Sequence, residues 1–295
     1  MRPAILRGHA WHGAQNGGDV NMATSLSQCP TARVPSVYMP SKNVTFTGST
    51  GETLAATIDL PDGQPRAWAL FAHCFTCNRK VPGAARTCRA LAKQGIACLR
   101  FDFTGLGESG GSFADTTFLT NVDDLVAAYE FLAAEYTAPS LLIGHSLGGA
   151  AAILAGQRMP LVKAVATIGA PFDPAHSIFH FADAIGDIDA HGTQTLSIAG
   201  RDIPISREFL ETLADIDPET YIHKLRRPLL LLHSPTDQTV GIDSAQKIFL
   251  VARYPKSLMS LDKADHLLVK KGAPQRAADL IRTWAEPYLP AAADA

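Results

Sequence analysis

The chain has 295 residues, 46% of them hydrophobic, with a formal net charge of −2 and a sequence pI near 6.5. That balance excludes a broad electrostatic pull toward nucleic acid or an anionic membrane. The length suits one large α/β domain, and no apolar run approaches the ~18 residues that a membrane-spanning helix needs.

Residues 1–35 are rich in Gly, Ser, Asn and Pro and show neither helical nor strand periodicity, so a disordered N-terminal extension is expected there. The stretch also lacks the apolar core of roughly 7–15 residues that marks a secretory signal. A cytoplasmic location is therefore expected, with the folded domain over residues 36–290. Five cysteines, Cys29, Cys74, Cys77, Cys88 and Cys98, are too few and too uneven for a disulfide framework in a chain of this size. Cys88 and Cys98 read as small core residues.

From Asn43 the segments NVTFTG, TLAATIDL and RAWALFAH read as strands separated by the turn residues STGE and PDGQP. After Pro82 the pattern becomes helix then strand. AARTCRALAKQ precedes GIACLRFDF, and TFLTNVDDLVAAYEFLAA precedes SLLIGH. In the second helix Phe118, Val122, Leu125, Tyr129 and Leu132 recur every three or four residues and form one apolar stripe. KAVATIGA, PLLLLH and KSLMSL follow as nearly continuous apolar strands, and a last helix runs from about Pro274 to Tyr288. Such alternation means a mainly parallel sheet with flanking helices.

Between Phe172 and Pro228 the alternation stops for longer than an ordinary connection. Residues 172–227 are read as an insertion forming a lid, with an apolar segment HSIFHFADAIGD, a hairpin TLSIAGRDIPIS, and a helix capped by Ser206 and stapled by Ile205 on Leu210.

GHSLGG, Gly144 to Gly149, lies between the strand SLLI and the helical AAAILAGQ. It matches G-x-S-x-G in the strand–turn–helix context that the motif requires. The turn is so sharp that glycine alone fits at 144 and 148, which leaves Ser146 projecting from its tip. The N-H groups of the following helix point at the same spot, which suits a developing oxyanion. A serine nucleophile needs a base, and the base needs a carboxylate to orient it. Asp237 in SPTD follows one strand and His266 in DKADHLL follows the next. The chain order Ser, Asp, His is the one this motif predicts. Asp243, Asp262 and Asp265 remain alternatives to Asp237 for the carboxylate.

The elbow GHSLGG, the loop DFTGLGESGG, the turn SPTD and the ADH near the end resemble an α/β-hydrolase over about Pro40 to Pro290. The resemblance implies an eight-stranded, mainly parallel sheet, a Ser146–His266–Asp237 triad and no cofactor. It also implies that the backbone N-H of Leu147 and one from the loop after the third strand stabilise the oxyanion. Where the family commonly has His-Gly-x, this chain has His73-Cys74-Phe75, so Phe75 is the expected second donor and Cys74 its substitute. The wording HCFTCN particularly resembles the hydrolase half of bifunctional proteins that also carry an osmotically-inducible-type domain.

Cys74 and Cys77 read as small side chains packing a tight loop. Zinc would want a second ligand pair, and a thioredoxin-like pair should open a helix. GLGESG, Gly105 to Gly110, matches a dinucleotide fingerprint literally, but no helix follows at once, and Asp123 and Asp124 fall inside a helix. His176 and His180 have a metal-like spacing without a nearby glutamate and read as lid residues. The expected function is a serine hydrolase acting through an acyl-enzyme on a small-molecule carboxylic ester, with no metal, cofactor, nucleic acid or membrane partner. An amide or peptide hydrolase, an acyltransferase, a non-catalytic binding module and a redox protein built on Cys74 and Cys77 are the alternatives.

Overall fold

The computed structural model describes residues 41–175, 192–198 and 201–291. The expected N-terminal extension, residues 1–35, lies outside the described residues, as do His176, Ile178, Phe179, His180 and Phe181. The described residues belong to one compact unit, Tyr38–Ala295.

Strands β1 (Ser41–Thr47), β2 (Thr53–Asp59), β3 (Ala67–Ala72), β4 (Ile96–Phe101), β5 (Leu141–His145) and β6 (Ala164–Ile168) build most of the sheet. Two strands later in the chain, β9 (Leu229–His233) and β10 (Lys256–Ser260), complete it. The sheet has eight strands in the order β1-β2-β4-β3-β5-β6-β9-β10. β1 pairs antiparallel with β2, and β2 antiparallel with β4; all the later pairs are parallel. Every residue of β3, β4, β5, β6 and β9 is buried, as parallel strands covered on both faces must be.

Helices α1 (Pro82–Ala92), α2 (Phe118–Glu135) and α3 (Leu147–Ala155) follow β3, β4 and β5. Pro82 opens α1, where its missing N-H is no loss. Thr117 caps α2 by accepting from the N-H of Thr120, whose own hydroxyl accepts from the N-H of Thr117. The stripe Phe118, Val122, Leu125, Tyr129 and Leu132 is buried. At about 1.5–3 kcal/mol per side chain, that stripe contributes on the order of 10 kcal/mol. α2 and α3 cover one face of the sheet. α1 and the last helix, α7 (Ala273–Ala285), cover the other through Ala84, Cys88, Leu91, Ala277 and Ile281.

The segment between β6 and β9 holds the antiparallel pair β7 (Thr193–Ile198) and β8 (Arg201–Ser206), then α4 (Arg207–Ala214) and α5 (Pro218–Lys224). The Ser206 side chain accepts from the N-H of Phe209 at 3.1 Å and caps α4. α6 (Ile242–Val251) connects β9 to β10. Neither α5 nor α6 is among the elements expected from the sequence.

Buried charge pins the loops at the C-terminal edge of the sheet. Asp102, immediately after β4, is wholly buried and accepts from the Arg79 N-H at 2.5 Å, from the Arg79 guanidinium, and from the Glu108 N-H at 2.9 Å. Glu108 in turn pairs with Arg79 and Lys80. One carboxylate thus ties the loop after β3 to the glycine-rich loop after β4. Gly107 has φ +59°, and a Cβ there would lie 2.3 Å from the Asp102 carboxylate. The fingerprint-like GLGESG is therefore a tight wrap around an aspartate. Arg79 is 3% exposed, so Asp102→Ala would leave a buried cation with the exposed Glu108 as its remaining carboxylate and would take away the acceptor of the Arg79 and Glu108 N-H groups. It should lower the unfolding free energy by about 3–5 kcal/mol, measured from urea transitions. A loss within about 0.5 kcal/mol, ordinary for a surface site, would show that Glu108 and water are enough to hold the Arg79 charge.

Candidate active site

β5 runs into α3 through one residue, Ser146, at φ 55° and ψ −128°. A non-glycine residue holds such a conformation only where its surroundings over-determine it. The Ser146 N-H bonds to the Ile168 carbonyl at 2.9 Å, and its own carbonyl accepts from Gly149 at 2.7 Å. A Cβ on Gly144 would lie 2.2 Å from the Gly148 carbonyl oxygen, and one on Gly148 would lie 2.3 Å from that of His73. The two glycines let the strand, the helix and the loop after β3 touch backbone to backbone.

His266 lies in the loop after β10, with Nε2 3.0 Å from the Ser146 Oγ and Nδ1 2.8 Å from the Asp237 Oδ2. Asp237 follows β9. Its other oxygen accepts from the N-H groups of Thr239 at 2.9 Å and Val240 at 3.0 Å. Burial by itself would raise the Asp237 carboxyl. The hydrogen bond and charge of His266, with those two N-H groups, outweigh it and hold the carboxyl below its ordinary range. Asp237 is thus ionised at neutral pH and accepts the Nδ1–H of His266, which leaves Nε2 to face the serine hydroxyl. The other candidate carboxylates are engaged elsewhere. Asp243 pairs with Lys247 at 3.1 Å, Asp262 accepts from Ser260, and Asp265 accepts from the N-H groups of Val269 and Lys270.

The residues expected to donate to an oxyanion, Phe75 and Leu147, line one cavity of ≈ 10 Å³ together with Cys74 and Gly148. The Phe75 ring packs 5.9 Å from Phe113 and 5.5 Å from Phe209, and those two rings lie 5.5 Å apart. This aromatic cluster joins the loop after β3 to α4.

The reading of Cys74 and Cys77 as separate packing side chains is corrected: they form a disulfide, with their Cα atoms 5.4 Å apart. The physical reason is the turn between them. Thr76 has φ 57°, and the Cys77 N-H bonds to the Cys74 carbonyl at 3.1 Å, which brings the two residues within disulfide range. The short interval was the signal, and sequence spacing alone does not report that turn. Cys88 and Cys98 are free and buried. Among the described residues no group of His, Cys, Asp or Glu could hold a metal ion. No helix among them is long and apolar enough to cross a membrane.

A further residue at the site was passed over in the sequence as one more strand-ending histidine. The His145 ring is 1% exposed, and its Nε2 lies 2.6 Å from the main-chain carbonyl oxygen of His266. Burial, reinforced by the neighbouring His266, pushes its pKa down to about 3.

This fold and arrangement carry clear relatives. Residues 63–202 match the family Hydrolase_4, serine aminopeptidase, S33. The esterase domain of a Rhodothermus marinus protein is 45% identical, with 84% of this chain and 99% of that one aligned at a TM-score of 0.68. Est1E from Butyrivibrio proteoclasticus, solved with ferulic acid bound, is 18% identical and shares the fold at a TM-score of 0.69, over 83% of this chain and 99% of its own. Human Protein ABHD12B is 29% identical over 203 residues, 66% of this chain, and the chain spans 51% of that protein's length. The chain belongs to the α/β-hydrolase family.

Two outcomes follow. Between pH 6.5 and about 3 the unfolded chain protonates His145 while the folded chain keeps it neutral, so acid favours unfolding through this group. Its contribution should fall by about 1.4 kcal/mol per pH unit in that window. Urea unfolding from pH 7 to pH 4 should show a flatter profile for His145→Gln than for the wild type. The depressed carboxyl of Asp237 adds its own loss only below the ordinary aspartate range. For the disulfide, closing a four-residue loop constrains the unfolded chain by about 2 kcal/mol. Cys74→Ala with Cys77→Ala should lower the melting temperature by several degrees. The turn's own hydrogen bond should keep catalytic turnover within a few fold; a collapse of turnover in a folded double variant would contradict this.

Proposed function

We propose that the chain is a serine carboxylesterase that cleaves small to medium acyl esters through an acyl-enzyme. The observation that carries the reading is the unbroken line from the Ser146 Oγ to His266 to Asp237, with spacings of 3.0 Å and 2.8 Å. Ser146 attacks the ester carbonyl as the His266 Nε2 takes its proton. The N-H groups of Leu147 and Phe75 stabilise the oxyanion of the tetrahedral intermediate. His266 then hands the proton to the leaving alcohol. Water repeats the sequence on the acyl-enzyme, releasing the acid and restoring the serine. Asp237 holds the imidazole in the working tautomer and offsets its charge. The chemistry needs no cofactor.

An uncharged substrate is supported by Phe75, Phe103 and Leu106, apolar side chains that line the cavity beside Leu147. The Rhodothermus marinus relative is itself described as an esterase domain. An aminopeptidase, the activity in the matched family's description, would need a carboxylate to grip the substrate's ammonium group. The described carboxylate bonded to a site side chain, Asp237, is already engaged by His266.

Hydrolysis of p-nitrophenyl esters from acetate to decanoate tests the reading. Wild-type turnover should fall by about 10⁴–10⁶-fold in Ser146→Ala, and the chain-length profile should size the acyl pocket. Equal turnover by both proteins would refute the nucleophile. Absence of turnover on every ester would move amides, acyl transfer or ligand binding forward.

A further inference from the structure

We propose that His145 is a positioning residue that clamps the main chain of His266, fixing the distance between base and nucleophile through a residue adjacent to the nucleophile itself. The kinetic consequences rest on the serine-hydrolase reading of the site; the clamp itself does not.

Two groups hold His266. Asp237 grips the side chain through Nδ1 at 2.8 Å, and His145 grips the backbone carbonyl through Nε2 at 2.6 Å. A carbonyl only accepts, so Nε2 of His145 carries the proton and the tautomer is fixed. The His145 ring lies 5.3 Å from that of His266, and because it is neutral it places no second charge beside the base. His145 and Ser146 are consecutive, so one peptide unit fixes both the nucleophile and the anchor of its base across 121 positions of sequence.

The loop that carries His266 packs into the core through Leu261, Ala264 and Leu268, and His145 adds a polar anchor at His266 itself. The loop leaves β10, an edge strand with partly exposed residues, and passes through left-handed positions at Lys263, φ 60°, and Leu268, φ 55°. Asp265 caps the following turn by accepting from Val269 and Lys270, which are partly or fully exposed. Besides the Ser146 hydroxyl that it serves, the side chains described as hydrogen-bonded to His266 are those of Asp237 and His145. Without the clamp the loop can drift, and a displacement of about 1 Å between reacting groups costs on the order of 10²-fold in rate.

The test compares His145→Phe, which keeps a flat buried ring and removes the donor, with His145→Gln, whose amide N-H can reach the same carbonyl. His145→Leu replaces the Phe variant if that one does not fold. Active sites are counted by stoichiometric labelling with a fluorophosphonate, so that kcat refers to folded, reactive enzyme. We expect kcat on p-nitrophenyl butyrate to fall about 10–100-fold in the Phe variant with KM within about threefold, and the Gln variant to recover most of the loss. Independently of turnover, the low-field NMR signal of the His266 Nδ1 proton should persist in the wild type and the Gln variant and be lost to solvent exchange in the Phe variant. Unchanged kcat and an unchanged proton signal in the Phe variant would overturn the clamp. So would equal loss in Phe and Gln, which would assign the residue a packing role alone. A wild type that hydrolyses no ester would sink the hydrolase reading, while the NMR comparison would still decide the clamp.

Discussion

Everything at the C-terminal edge of the sheet depends on the backbone contact at the elbow. Ser146 takes a left-handed conformation because β5 must turn into α3 within one residue, and Gly144 and Gly148 have no Cβ where neighbouring carbonyls approach within 2.2–2.3 Å of where one would sit. The contact that excludes a side chain at Gly148 is with the carbonyl of His73, the first residue of the loop that bears Phe75. The turn that presents Ser146 therefore also sets how closely the expected oxyanion donors approach it.

Two kinds of polar interaction then stiffen what that contact brings together. Near Ser146 they are short and neutral or singly charged: His145 to a carbonyl, and His266 to Asp237. Around the outer loops they are buried ion pairs, Arg79 with Asp102 and Arg100 with Asp59, whose charges are satisfied by backbone groups as well as by each other. Buried pairs of this kind add little net stability but are costly to break. They make loop geometry an all-or-none property, and preorganised donors need that.

Much of this was legible in the sequence because the signals were local. The elbow needs two residue types, Gly and Ser, at three of five positions between a strand and a helix, and the stripe from Phe118 to Leu132 needs one helix face. Asp237 and His266 could be selected because each follows an apolar run that had to be a parallel strand, and the hydrogen-bonding distances link them to Ser146. What was not legible depends on contacts across the fold. His145 looks like any strand-ending histidine until residue 266 is beside it, and the Cys74–Cys77 bond depends on a turn at Thr76 that its residue type does not announce. α5 was announced locally by Asp217 as cap and Pro218 at its first position but has only seven residues, whereas α6 opens on Gly241 without a side-chain cap, close behind the loop signal SPTD.

The adjacent aspartates of α2 have different fates. Asp123 reaches outward to Arg158. Asp124 is wholly buried and accepts from the N-H and hydroxyl of Ser49, in the β1–β2 turn, and from the N-H and hydroxyl of Thr104, after β4. A helix advances 1.5 Å and turns about 100° per residue, so a slip of α2 by one position would break all four bonds and bring the outward-facing neighbour round. An apolar stripe tolerates small sliding, since one greasy contact replaces another. The buried carboxylate does not, and it indexes the longest helix of the domain to a single axial setting against the sheet.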